Sequence, residues 1–177
     1  MSLEIDKMKD KHWRLKVNGI RCGQTPTVIE PFKEILSNFD NIIEIGSNQG
    51  GFTVFLYFTK KEKANLVSYD ISNHFGGVKK RYPSIDFRIG DCFSKEIHQE
   101  IKDLIQLPGK TLLLCDGGNK IKEFNTFSPY LKRGDVIMLH DYGRDKNHWE
   151  KIAINKLGWR SGHESSFSPI ENSISAN

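Results

Sequence analysis

Residues 41–52 read NIIEIGSNQGGF: a five-residue apolar run, Asn41 to Ile45, stops at Gly46, and a second apolar run begins at Phe52 after a glycine-rich turn. A short run dominated by isoleucine reads as a buried strand, and Phe52, Phe55 and Leu56 recur at helical spacing over residues 51–59. Strand, glycine turn and helix in direct succession form the opening unit of a parallel α/β sheet. Outward from this unit, four more strand-like runs follow: Asn65 to Asp70, Ile85 to Ile89, Thr111 to Cys115 and Asp135 to Leu139. The last two are nearly continuous apolar runs, the pattern of strands covered on both faces.

The stretches between the runs read as helices. Val28, Phe32, Ile35, Leu36 and Phe39 share one helical face opened by Thr25-Pro26 or Thr27…Glu30, and Pro31 is tolerated because it falls in the first turn. Ser94 caps a helix with Ile97, Ile101, Leu104 and Ile105 on one face, ended by Pro108-Gly109. A further helix is expected over Lys120 to Leu131 with Phe124 and Phe127 inward. The expected fold class is α/β, a doubly wound, mostly parallel sheet with right-handed crossovers. The expected plan is an N-terminal segment over 1–19, one α/β domain over 20–164 and a polar, Ser- and Asn-rich tail over 165–177.

Composition narrows the function classes. A chain of 177 residues, 37% hydrophobic and 27% charged, has the length and balance of one globular domain with a sizeable core. No apolar run approaches the roughly 18 residues that span a bilayer, and the opening MSLEIDKMKDKHW lacks an apolar stretch, so neither a membrane span nor a secretory leader is expected. The net charge of +4 is not concentrated: Lys60-Lys61 and Lys79-Lys80-Arg81 are short clusters without interleaved aromatics, which disfavours a nucleic-acid groove. Cys22, Cys92 and Cys115 form no CxxC and are odd in number, so a reducing cytoplasm is the expected location. Trp13 is expected to pack over the domain or form part of a homo-oligomer contact, and Trp149 and Trp159 to cover the sheet edge or line a substrate pocket. The remaining histidines, His12, His74, His98, His148 and His163, share no ligand spacing and read as surface or loop residues.

In a doubly wound sheet ligands bind beyond the carboxyl ends of the strands, where the strand order reverses. The first such end carries Gly46, Gly50 and Gly51, spaced GxxxGG rather than the GxGxxG that clamps a pyrophosphate. The second ends in Asp70, 24 residues after Gly46, placed to accept hydrogen bonds from ribose hydroxyls; a turn or helix cap is its plainer role. The third ends in Asp91-Cys92-Phe93, where an acid suits an adenine amino group, against the plainer reading of an Asx-turn into the Ser94 cap. Taken together, the three ends point to an adenosine-containing ligand.

The series EIGSNQGGF, SYDIS, RIGDCF, LLLCDGG and GDVIMLHDYG resembles the class I S-adenosylmethionine-dependent methyltransferases. More narrowly, DGG…YLKRGDVIMLHDY is similar to the metal-assisted sugar O-methyltransferases and the cephalosporin hydroxylase-like group. The resemblance covers residues 20 to 145. It implies a Rossmann-like sheet with Glu44, Gly46, Ser47, Asn48, Gly50 and Gly51 on the methionine part of the cofactor, Asp70 and Ile71 on the ribose side, and Asp91 with Cys92 at the adenine. Asp116 completes the cofactor set, and Gln24 is a weaker match for the cofactor carboxylate. With 36 residues after Asp141, the family's reversed final hairpin is expected to be short, irregular or missing here.

Asp116 ends the fourth strand and Asp141 the fifth, with His140 beside it, so these residues should converge at one rim. Two hard oxygen ligands suit Mg²⁺, and the imidazole admits Mn²⁺ or Fe²⁺. In the resembling families acids at these positions hold a divalent ion against the hydroxyls of a small acceptor; otherwise they would serve loop N–H groups. Where those enzymes place a basic residue, three positions after Asp116, this chain has Asn119. The candidate bases are therefore Lys120, otherwise an exposed helix-start lysine, and His140. A protein that binds S-adenosylmethionine without catalysis is the second reading, favoured by Asn119. A nicotinamide-dependent oxidoreductase is disfavoured by the GxxxGG spacing.

Overall fold

The computed structural model describes residues 2–7 and 15–140. Five apolar runs form one parallel sheet. In chain order the strands of the whole structure are β1 (Ile5–Lys7), β2 (Leu15–Val17), β3 (Ile20–Cys22), β4 (Asn41–Ile45), β5 (Asn65–Asp70), β6 (Asp86–Ile89), β7 (Thr111–Cys115) and β8 (Val136–Leu139). The large sheet runs β6-β5-β4-β7-β8 with every neighbouring pair parallel. The chain therefore steps outward from β4 to β6, returns to the other side of β4 at β7 and continues to β8. The reversal lies between β4 and β7, the crevice where doubly wound sheets place their ligands.

The helices are α1 (Ile29–Leu36), α2 (Gly51–Thr59), α3 (Gly76–Arg81), α4 (Lys95–Ile105) and α5 (Lys120–Phe127). They cover both faces, so the core is split by the sheet. Ile42, Leu66, Leu112 and Leu114 point into a cluster with Leu36, Phe52, Phe55 and Leu56. Their alternates Ile43, Val67, Leu113 and Cys115 meet Ile101, Ile105, Phe124 and Phe127 on the other face. This period-two division is why β4 and β7 are buried at every residue. β8 is the outermost described strand on its side, and its four residues are half-buried, not covered on both faces as their apolar run suggests.

Two further local features depart from expectation. α5 stops at Phe127, because Pro129 has no N–H to continue the ladder, and a 3-10 turn over Ser128–Tyr130 follows. Residues 76–81 form a helix with little sequence signal: two glycines open it, and it buries only Val78. Two of its basic residues are tied to backbone, Lys79 Nζ to Phe87 O at 2.7 Å and an Arg81 guanidinium nitrogen to Asn18 O at 2.8 Å.

The N-terminal residues make a small antiparallel sheet, β1-β2-β3, whose β2–β3 hairpin turns on Asn18 and Gly19, both at positive φ. It closes over α2, which explains why that helix is buried on all sides at its start. Gly51 sits directly under β3: a Cβ there would overlap the Arg21 carbonyl and lie 2.9 Å from Cys22 N. Among the described residues no helix is long and apolar enough to cross a membrane. Trp13, Trp149, Trp159, His12, His148, His163, Asp141 and the 165–177 tail lie outside the described residues.

Candidate functional site

The site is built at the carboxyl ends of β4, β5, β6 and β7. Gly46 leaves β4 at φ +102°, and both Gly46 N and Ser47 N donate to Tyr69 O, at 2.8 and 3.0 Å. A tight turn follows: Gly50 N donates to Ser47 O at 2.7 Å, with Asn48 at φ +48° and Gly50 at φ +82°. Asn48 is uncommon among non-glycine residues in accepting the left-handed region with little strain. A Cβ on Gly46 would overlap Asp116 O and stand 2.7 Å from Gly117 N, so glycine here lets the β4 and β7 ends touch. The turn delivers the chain to the start of α2, and a helix start beyond a strand end suits an anionic group.

Asp70 binds this turn. Its Oδ2 accepts from Asn48 N at 2.7 Å and its Oδ1 from Ser72 N at 2.9 Å. The carboxylate thus makes both the local turn and a long-range clamp, and each oxygen can still accept one more hydrogen bond. Ile71, next to it, is 71% exposed, and Ile89, paired in register with Asp70, is 55% exposed; they are the two large apolar side chains left uncovered among the described residues. Asp91 makes the Asx-turn, its Oδ1 accepting from Phe93 N at 2.9 Å, and leads into the Ser94 cap of α4. Cys92 is buried, and its thiol is pushed up to about 12, mainly by burial. Burial likewise pushes Cys22 up to about 12 and Cys115 well above its usual value, so none of the three is a thiolate nucleophile at neutral pH.

Glu44 and Ser47 face inward. Glu44 is 1% exposed and accepts from Thr53 Oγ1 and Ser68 Oγ, both at 2.5 Å, while Ser47 Oγ lies 2.5 Å from Ser68 Oγ. These contacts place both side chains below the loop, and the loop backbone above them is what faces the crevice.

At the β7 end the structure brings four residues together. Asp116 Oδ1 lies 2.8 Å from His140 Nδ1 and Oδ2 accepts from Gln24 Nε2 at 2.9 Å. Asp116 therefore serves side chains rather than N–H groups of its own loop. Lys120 is buried, not an exposed helix-start lysine: its Nζ donates to Gly117 O at 3.1 Å and stands 3.8 Å from Asp116 Oδ1. Its place at the start of α5 points it back over the β7 end. Asn119 caps α5, its side-chain oxygen accepting from Lys122 N at 3.1 Å. Among the described residues no group of three His, Cys, Asp or Glu side chains is arranged to hold a metal ion.

Glu123 was not legible as a site residue. It is 1% exposed and closes the β7–α5 loop by accepting from Gly117 N and Asn119 N, both at 3.2 Å. The signal for it is a capping pair one residue longer than the usual Ser/Thr-x-x-Glu spacing. Burial, the largest effect, raises the Glu123 and Glu44 carboxyls from 4.5 to about 7; nearby Asp116 adds to both and Asp70 to Glu44, against their hydrogen bonds. A folded-state value above the unfolded one favours the protonated form, so this contribution to stability is full below about pH 4.5 and is lost as pH rises through about 7. Each group is worth up to roughly 3 kcal/mol. Denaturant midpoints are expected to fall between about pH 4.5 and 7 and to level off above, and the Glu44→Gln/Glu123→Gln double variant to lose most of that slope. A flat wild-type profile would show that these carboxyls are ionised throughout.

No protein-family model matches the chain, and no curated protein matches it. Among solved structures, that of CmcI-N160 without ligand matches with a TM-score of 0.59 at 15% identity, covering 79% of this chain and 61% of that one. A Staphylococcus aureus protein proposed to be a caffeoyl-CoA O-methyltransferase matches at 0.52 and 13% identity, covering 68% and 59%. An O-methyltransferase from Bacillus cereus in complex with SAH matches at 0.51 and 18% identity, covering 64% and 56%. The chain thus spans about three-fifths of the length of these structures. At such identities the likeness establishes the fold: a Rossmann-like α/β sheet of the kind found in O-methyltransferases.

Proposed function

We propose that the chain is an S-adenosylmethionine-dependent methyltransferase acting on an oxygen of a small hydroxylated acceptor. The observation that carries this reading is the rim beside the strand-order reversal, where Asp70 at the end of β5 clamps the Gly46–Gly51 turn at the end of β4, next to the exposed Ile71. The fold likeness to a B. cereus O-methyltransferase in complex with SAH supports it. In this reading the domain over 20–164 carries the site, with the hairpin of β2 and β3 packed on α2.

The bound cofactor supplies a methyl group on a sulfonium, and the carbon–sulfur electron pair stays with sulfur as the methyl passes to oxygen. N–H groups at the start of α2 would hold the carboxylate of the amino-acid end. The remaining lone pairs of Asp70 would accept from ribose hydroxyls, Ile71 would pack on the face of the base, and Asp91 with the Cys92 backbone would border its edge. Fixing the reacting atoms in line is worth about 7–11 kcal/mol when the geometry is ideal. The acceptor proton passes to His140 or Lys120, the two side chains that flank Asp116.

A divalent ion is the finer part of this reading. Asp116 and His140 offer an oxygen and a nitrogen at one point, and Asp141 is the third donor in the sequence. An ion there would hold the acceptor hydroxyl and lower its pKa. The second reading, a protein that binds the cofactor without transfer, is favoured by Asn119, whose side chain caps α5 at the position where resembling enzymes carry a base. One assay separates the readings: transfer of labelled methyl to a panel of catechols, sugars and hydroxy acids, with and without Mg²⁺. Transfer is expected, with Mg²⁺ stimulation that Asp116→Asn abolishes. Binding without transfer supports the second reading, and transfer indifferent to divalent ions removes the metal.

A further inference from the structure

Four polar side chains are enclosed beneath the Gly46–Gly51 turn, one from each of the elements that meet there. Glu44 comes from β4, Ser47 from the turn, Thr53 from the first turn of α2 and Ser68 from β5; none is more than 4% exposed. An acid enclosed in this way is retained only where its neighbours satisfy it. Ser68 Oγ and Thr53 Oγ1 both donate to Glu44 Oε2 at 2.5 Å. A hydroxyl has one proton, and with Glu44 ionised that of Ser68 is committed to Glu44. The 2.5 Å contact between Ser47 and Ser68 is therefore donated by Ser47. Donation runs from Ser47 to Ser68 to Glu44, and from Thr53 to the same carboxylate oxygen. Thr53 also lies 3.2 Å from Ser68, which closes the group.

We infer that Thr53 and Ser68 are positioning residues of the ligand cradle: through Glu44 and Ser47 they set the spacing of the turn against β5. That spacing decides how the start of α2 and Asp70 meet a ligand. Directional bonds at this depth admit one register between turn and sheet, where apolar side chains of the same volume would admit several. The inference rests on the reading of the rim as an S-adenosylmethionine cradle, yet it has a readout independent of that reading.

The test compares Thr53→Val, Ser68→Ala, their double variant and the conservative Thr53→Ser, all at a temperature well below melting. Two quantities are read: calorimetric affinity for S-adenosylhomocysteine, and hydrogen exchange of the Gly46, Ser47 and Gly50 amides against those of β7. Thr53→Val and Ser68→Ala are expected to bind about 5- to 20-fold more weakly, Thr53→Ser to stay within about twofold, and the double variant to be little worse than the poorer single one. The three loop amides should exchange faster while β7 keeps its protection. Wild-type affinity and unchanged loop exchange in the folded variants would overturn the inference, and so would equal acceleration in β7, which marks general destabilisation. If the wild type binds no adenosyl ligand, the cofactor reading fails by itself; faster loop exchange then still supports the relay, and unchanged exchange still overturns it.

Discussion

Gly46→Ala is expected to lower the melting temperature by on the order of 10 °C and to abolish ligand binding at the rim. Two costs combine. Gly46 has φ +102°, a conformation that disfavours any side chain by about 1–2 kcal/mol. Its Cβ would also overlap the backbone carbonyl of Asp116, so the ends of β4 and β7 must part, at a further cost of about 1–3 kcal/mol. Backbone at the centre of a five-stranded sheet has no easy way to yield. Gly19 provides the internal comparison: it too has positive φ, at +78°, but nothing lies within 4 Å of its Cβ position. Gly19→Ala should therefore show only the conformational cost of about 1 kcal/mol. Equal melting temperatures for the two variants, read by calorimetry, would show that the β4–β7 approach is not tight.

Asp70→Ala is expected to weaken binding of S-adenosylmethionine at least tenfold, about 1.4 kcal/mol or more. The side chain is the ribose acceptor in the proposed complex and also the clamp on the turn. Its removal leaves Asn48 N and Ser72 N without their acceptors, so the cradle loosens as well as losing a ligand contact. Asp70→Asn should fall between, because its amide oxygen still accepts one of the two bonds and its NH₂ faces the other donor. Isothermal titration of both variants checks the order; unchanged affinity in Asp70→Ala would refute the ribose role.

The sheet was legible wherever burial on both faces left an unbroken apolar run. NIIEI and TLLLC needed only their length and their flanking turn residues to be read as β4 and β7, and the run ending at Asp70 gave β5. The Ser94 cap announced α4 because a capping side chain and a 3.6-residue period coincided. What stayed hidden depends on contacts far apart in sequence. The three-residue strands β1 and β2 lie among alternating charges, and β2 becomes visible only through its antiparallel partners.

The site divides in the same way. Gly46, Asp70 and Asp91 stand directly after strands, where chain order alone identifies them. Gly51 looks like one more loop glycine, yet its Cβ position faces the Arg21 carbonyl, 30 residues earlier in the chain. Lys120 reads as an exposed helix-start residue and is buried because α5 turns its first residue over Gly117. Thr53 and Ser68 are single hydroxyls inside apolar runs, and only the fold sets both against Glu44. Glu123 escapes because its capping bond is one position off the familiar spacing.

The most direct measurement is a map of backbone amide shifts in the full chain titrated with S-adenosylhomocysteine and, in parallel, with NAD. The account predicts saturable shifts at Gly46, Asn48, Gly50, Ile71 and Asp91 with the first compound and none with the second. Shifts confined to other residues, or the same shifts with NAD, would contradict it.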